Sequence, residues 1–195
     1  ILDSLDSHKK LVDLKKLDDE FQLDIRYAST NNFMRSKFYK NERAFFNMSA
    51  ADRLIEAKND LKELGYGIII YDAYRPWFVT KMFWEGTPEN LKHFVANPEN
   101  GSSHNKGCAI DIGLYDIETG ESIVMISGYD EFTERAYPNY MGGSKKQRDI
   151  RDMLIQVMER NDFTVYEYEW WHFNYNGCDS GIMNYSFEEL DSISS

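Results

Sequence analysis

Only four histidines occur in 195 residues, and two of them sit in segments crowded with other chemistry-bearing side chains. One segment is Ser102-Ser103-His104-Asn105-Lys106-Gly107-Cys108-Ala109-Ile110-Asp111; the other is Glu167-Tyr168-Glu169-Trp170-Trp171-His172-Phe173. His104 falls in a polar loop, and Gly107 lets the chain turn from it into an apolar strand. Along that strand Ala109, Asp111 and Gly113 share one face, while Cys108, Ile110, Ile112 and Leu114 share the other. Asp111 is then a carboxylate inside an apolar strand. It needs a cationic partner, a backbone amide or a metal, because burying it alone is costly. Taken together, His104, Asp111 and His172 make a mixed nitrogen and oxygen donor set with three members. Such a set leaves one zinc position open to water, as catalytic rather than structural zinc requires.

Glu169 lies among Trp170, Trp171 and Phe173. Aromatic walls disfavour the charged carboxylate and raise its pKa, which suits a general base working near neutrality. Strand alternation, however, sends residues three apart to opposite faces. Glu169 and His172 can serve one site only across a bulge, or if Glu169 stands at the strand end. Read singly, Glu169 is equally an exposed strand charge and His172 a satisfied core histidine. A third segment, Tyr71-Asp72-Ala73-Tyr74-Arg75-Pro76-Trp77, ends a buried strand with Arg75. A guanidinium there can bind the oxyanion of a tetrahedral intermediate, or simply pair with Asp72 or another carboxylate.

The elements that must bring these segments together follow from periodicity. Phe21, Leu23, Ile25 and Tyr27 alternate with polar residues and predict a strand. Residues 50–64 predict a helix with Ser49 as N-cap, an apolar stripe of Leu54, Ala57, Leu61 and Leu64, and Gly65 as its stop. Strands are predicted over 66–74 and 107–115, a short helix over 78–85, and mainly loop over 86–103. Asp116 to Glu121 carries turn chemistry. Residues 145–161 form the clearest helix, with Ile150, Met153, Leu154, Val157 and Met158 on one stripe; one or two strands follow over 163–175. The sum is an α+β fold with a mainly antiparallel sheet and helices packed on one side. One domain over 1–195 is expected, with 1–20 as a charged peripheral lead-in and 176–195 as a C-terminal extension.

Composition narrows the function classes. The formal charge of −11 argues against nucleic-acid binding, which needs clustered Lys and Arg. No apolar run reaches membrane-span length. The 13 Tyr, 12 Phe and 4 Trp could form a carbohydrate-stacking surface, although aromatics at strand and helix spacing more often build a core. A chain starting at Ile1 suggests a removed leader or a cloning boundary. Cys108 and Cys178 permit one disulfide or two buried thiols.

These motifs in this order resemble the VanX-type D-alanyl-D-alanine dipeptidases, within the wider zinc D,D-peptidase group that includes D-Ala-D-Ala carboxypeptidases and the hedgehog domain. The resemblance rests on Tyr-Arg-Pro at 74–76, Ser102-x-His104-x-x-Gly107-x-Ala109-Ile110-Asp111, and Glu169-Trp170-Trp171-His172. Weaker similarity covers Ile25 to Ala28 with Asn32-Phe33, and Ser127 to Phe132, so that it runs from about Leu11 to Tyr175. The resemblance implies a hedgehog/D,D-peptidase-like fold and one Zn2+ held by His104, Asp111 and His172. It implies Glu169 as general base and Arg75 as oxyanion stabiliser. Ser102 falls where the family binds the substrate carboxylate, and Tyr27 with Asp130 where it holds the free ammonium. The implied substrate is a small D-amino-acid dipeptide. Alternatives are a D,D-carboxypeptidase trimming peptidoglycan stems, or a zinc-binding module without activity. The segment between Trp84 and Ser102 is short for the family, which implies a more open mouth. A bacterial, extracytoplasmic setting is slightly favoured over a cytoplasmic one, and the oligomeric state is left open.

Overall fold

The computed structural model describes residues 6–193; the first five residues of the expected lead-in and the last two of the C-terminal extension lie outside the described residues. Seven strands and five α-helices are interspersed along the chain among the described residues. A two-stranded sheet pairs β1 (Leu11–Asp13) with β3 (Phe45–Asn47). The main sheet has the order β2-β4-β5-β7-β6, from β2 (Gln22–Leu23), β4 (Tyr66–Asp72), β5 (Ala109–Asp116), β7 (Glu169–Tyr175) and β6 (Phe163–Tyr166). Its pairings are antiparallel except β2 with β4. The fold is thus α+β with a mainly antiparallel sheet.

Helices α2 (Met48–Glu63) and α4 (Lys145–Arg160) lie against each other and against the sheet. Their apolar stripes explain this. Leu54, Ala57 and Leu61 of α2 and Ile150, Leu154, Val157 and Met158 of α4 enter one hydrophobic cluster with Ile110, Ile112 and Leu114 of β5. The alternate face of β5 is thereby left to Asp111. Lys58 is buried on α2 because Asp18 and Glu20 each meet its ammonium at 2.5 Å. That ion-pair cluster fastens the segment ahead of β2 to the helix.

The sequence reading needs several corrections. Strand pairing in 21–27 stops at Leu23, and Arg26–Ala28 is a 3-10 turn that carries Tyr27 into the interior. Helix α2 starts earlier than expected: Asn47, not Ser49, is its N-cap, with Oδ1 accepting from the Ser49 and Ala50 amides. Asn is as strong a cap as Ser, and here it also ends β3. The predicted loop at 86–103 contains a 3-10 turn, Glu89–Phe94. Part of the lead-in is anchored, as its apolar residues allow: β1 pairs with β3, and Leu14, in α1 (Leu14–Leu17), is fully buried. Helix α3 spans Trp77–Gly86. Beyond the sheet, α5 (Phe187–Ile193) puts Phe187 and Leu190 into the core.

Cys108 and Cys178 form a disulfide, which decides between the two states left open by the sequence. It ties the start of β5 to a strap that returns along the site turn, where the Met183 amide donates to the Asn105 carbonyl and the Trp77 amide to the Met183 carbonyl. The sequence separation is 70 residues. Chain-entropy reasoning assigns a loop of that length about 4 kcal/mol. Replacing both cysteines by alanine is therefore expected to lower unfolding free energy by about that amount. Denaturant unfolding of the double variant, and of the native chain with and without reductant, measures it.

Candidate active site

Three neighbouring strands deliver the site. Asp72 of β4 stands opposite Asp111 of β5, and Asp111 stands opposite His172 of β7. His104 arrives from the 3-10 turn Ser103–Lys106 that precedes β5. The turn has a capping box: Ser102 Oγ accepts from the His104 amide, and Asn105 Oδ1 accepts from the Ser102 amide. Gly107 closes it at φ 66°, a left-handed conformation that glycine adopts at little cost. Fully buried Asn105 then donates to the Arg75 carbonyl and to Thr80 Oγ1, locking the turn to the end of β4 and to α3.

The stereochemical problem of Glu169 and His172 is solved in the way the alternation rule demands. Glu169 is the first residue of β7, and the register against β6 shifts between Val165 and Tyr166. Glu169 Oε2 lies 3.7 Å from His172 Nδ1.

His104 Nε2, His172 Nδ1 and Asp111 Oδ1 converge. His104 Nε2 is 3.2 Å from both others, and His172 Nδ1 is 3.1 Å from Asp111 Oδ1. Donor atoms bonded at about 2.0–2.2 Å to one tetrahedral ion stand roughly 3.3–3.6 Å apart. The outward nitrogens fix the tautomers. His104 Nδ1 is 2.6 Å from the Ala73 carbonyl and His172 Nε2 is 3.0 Å from Asn174 Oδ1, so each of these nitrogens donates a proton. The facing nitrogens therefore present lone pairs. Asp111 Oδ1, buried among them, has no hydrogen-bond partner among the described residues. Three such atoms within reach of one another can hold a cation, and the mixed nitrogen and oxygen donors fit a divalent metal.

Arg75 is buried and gives Nε and Nη2 to Asp72 Oδ2, both at 2.9 Å. Tyr39 holds the other Asp72 oxygen at 3.1 Å. Arg75 Nη2 also stands 4.0 Å from Asp111 Oδ2, so the expected pairing with Asp72 is present and a second carboxylate stands nearby. Arg75 also lines the cavity, where the ring of Phe83 lies 4.9 Å from its guanidinium carbon. Tyr27 donates to Asp130 Oδ2 at 2.7 Å.

All eight residues singled out from the sequence (Tyr27, Arg75, Ser102, His104, Asp111, Asp130, Glu169 and His172) line one cavity of about 220 Å³. Phe33, Phe83, Phe94 and Phe132 form its apolar walls. The short segment after Trp84 does contribute a wall: Phe94 stacks on Phe132 at 4.8 Å, and Val95 and Ala96 line the cavity. Burial raises the Glu169 carboxyl above its usual range, an effect that nearby Asp111 and Asp130 reinforce and that His172 and Arg75 oppose. Burial likewise pushes Asp130 up to about 7. A cationic ligand group beside it would favour the ionised form.

Sequence reasoning missed Asn105, Tyr129 and Asn174. Asn174 could have been found, since it lies two residues past His172 on the same strand face. Asn105 and Tyr129 act through contacts with residues remote in sequence, and no periodicity marks them.

Comparison with known proteins gives the family. A family model described as D-ala-D-ala dipeptidase, of the M15 peptidases, matches residues 7–191. The chain is 30% identical over 164 residues to a D-alanyl-D-alanine dipeptidase of Escherichia coli strain K12, covering 84% of this chain and 83% of that protein. It is 32% identical over 171 residues to a D-alanyl-D-alanine dipeptidase of Enterococcus faecium, covering 77% and 83% respectively. Among solved structures, the LD-carboxypeptidase LdcB aligns with a TM-score of 0.44 at 20% identity, over 69% of this chain and 61% of its own. A mutant of the vancomycin-resistance D,D-pentapeptidase VanY in complex with Zn(II) aligns with a TM-score of 0.42 at 12% identity, over 70% and 75%. With every motif of the site inside the matched span, the chain belongs to the D-Ala-D-Ala dipeptidase family of M15 peptidases.

Proposed function

We propose that this protein is a zinc-dependent dipeptidase that hydrolyses D-alanyl-D-alanine and similar dipeptides to free D-amino acids. The observation that carries the reading is the convergence of three potential ligand atoms beside a buried carboxylate and a buried guanidinium, in one small cavity. His104 Nε2, His172 Nδ1 and Asp111 Oδ1 would hold one Zn2+ per chain. When bound, that ion polarises the scissile carbonyl and lowers the pKa of a water toward about 7. Glu169 removes the proton of the attacking water at its carboxylate and returns it to the departing amine. Its raised proton affinity suits that exchange. Arg75 donates N–H groups to the developing oxyanion, and Asp72 keeps its fork fixed. Ser102 Oγ already accepts the His104 amide, so its own proton is available to the substrate carboxylate. Asp130, oriented by Tyr27, faces the substrate ammonium.

A cavity of about 220 Å³ is smaller than the roughly 300–1,000 Å³ of drug-sized sites, which favours a dipeptide over a stem peptide. An anion that holds a free amino terminus selects in the same direction, because a longer chain would leave it unpaired. Glu169 and Arg75 on the cavity wall disfavour an inactive zinc module. The disulfide favours an oxidising, extracytoplasmic compartment. No helix among the described residues is long and apolar enough to cross a membrane.

The test is D-alanine release from D-Ala-D-Ala, with a stem pentapeptide assayed in parallel. Dipeptide hydrolysis that stops with chelator and returns with zinc is expected, with the pentapeptide left intact. Trimming of the pentapeptide would identify a carboxypeptidase. Zinc retention without turnover of any D-dipeptide would identify a binding module.

A further inference from the structure

We propose that Tyr129 is a positioning residue for the metal site: its hydroxyl holds Asp111 in the orientation that turns Oδ1 toward the two imidazoles. The inference rests on the zinc reading above and extends it to a residue with no assigned role. Tyr129 donates to Asp111 Oδ2 at 2.7 Å. Among the described residues it is the one hydrogen-bond donor to that oxygen, since Arg75 Nη2 at 4.0 Å is too distant. The other oxygen, Oδ1, is the one placed 3.1–3.2 Å from His172 and His104. A carboxylate with both oxygens unrestrained can rotate, and can bind a metal through either oxygen or both. Engaging Oδ2 leaves Oδ1 as the ligand atom and removes the chelating alternative.

The phenol is rigid enough for this task. Its ring stacks on Tyr71 with centroids 4.6 Å apart and meets the edge of Trp171 at 5.4 Å. The neighbouring phenol serves a different carboxylate. Tyr27 directs its single proton to Asp130, and the two hydroxyl oxygens stand 3.4 Å apart. Loss of the Tyr129 hydroxyl should therefore loosen Asp111 while Asp130 stays held.

The experiment compares the native chain, Tyr129→Phe and Tyr71→Phe, each stripped with chelator. Tyr71→Phe controls for the stacked pair, because its hydroxyl lies beside Gly113 and the hydrogen bond to Asp111 comes from Tyr129. Zinc affinity is measured by competition with a chromophoric chelator, and the visible spectrum is recorded at saturating cobalt(II). Tyr129→Phe is expected to weaken zinc binding by about 10–100-fold, the usual consequence of removing a hydrogen bond behind a metal ligand. Its cobalt absorption should weaken as the freed carboxylate chelates and coordination rises, whereas Tyr71→Phe matches the native chain in both. The spectrum is read with metal bound, so it decides even where the stripped variant melts early. Native affinity together with a native cobalt spectrum in Tyr129→Phe overturns the proposal. Failure of the native chain itself to bind zinc instead refutes the underlying metal reading.

Discussion

Glu169→Gln is expected to lower kcat by about 10²–10⁴-fold while zinc content stays at the native level. The amide has nearly the shape of the carboxylate, so the cavity wall it shares with Tyr166 and His172 persists. What disappears is the capacity to take a proton and return it. Glu169 is the titratable carboxyl beside the donor cluster that none of the three convergent atoms belongs to, which leaves it available for proton transfer. Burial raises its pKa above the usual carboxylate range. Because a base must be ionised to act, native kcat/KM should fall as pH drops through that raised pKa. The residual activity of Glu169→Gln should lose this acid limb. Metal analysis with pH-dependent kinetics on both proteins is the measurement. A variant that keeps near-native turnover, or that loses its zinc along with its activity, would remove Glu169 from the proton-transfer role.

What could be read in the linear chain, and what could not, divides along a physical line. The strand character of 109–115 and the isolation of Asp111 on one face follow from a period of two, and both appear in β5. The stripe of α4 follows from a period of 3.6. Gly107 and Gly65 mark chain reversals that need positive φ, and both have it. The misreadings arose where a nonlocal contact overrides local preference. Alternation in 21–27 is real, yet only two residues find a partner on β4, and Tyr27 turns inward to reach Asp130. The register shift that reconciles Glu169 with His172 was foreseeable as a requirement but not as an event, because it depends on how β6 meets β7. Motif resemblance brought the eight cavity residues into one hypothesis. The residues that hold them, Asn105 and Tyr129 above all, are set by hydrogen bonds across 18 to 30 positions of sequence.

Arg75→Ala is the second large effect, with an expected loss in kcat/KM of at least about 10²–10³-fold, or roughly 3–4 kcal/mol of transition-state stabilisation. The substitution also does something else that must be separated from this. Asp72 is 1% exposed; Arg75 supplies one hydrogen bond through Nε and an ion-pair contact through Nη2, and Tyr39 supplies a second hydrogen bond. Burial already raises the Asp72 carboxyl even with Arg75 opposing it. Removing the guanidinium strands that carboxyl 4.0 Å from His104 Nδ1, and breaking a buried pair on one side typically costs about 3–5 kcal/mol of stability. A fall in activity alone would thus confound a weakened fold with a lost oxyanion donor. The double variant Asp72→Asn/Arg75→Ala resolves the two, because it removes the stranded charge. It should recover much of the melting temperature and none of the turnover, since a neutral amide at position 72 cannot replace N–H groups on the cavity side of Arg75. Recovery of turnover together with stability would show that Arg75 acts by neutralising Asp72, and that the oxyanion is met by other groups.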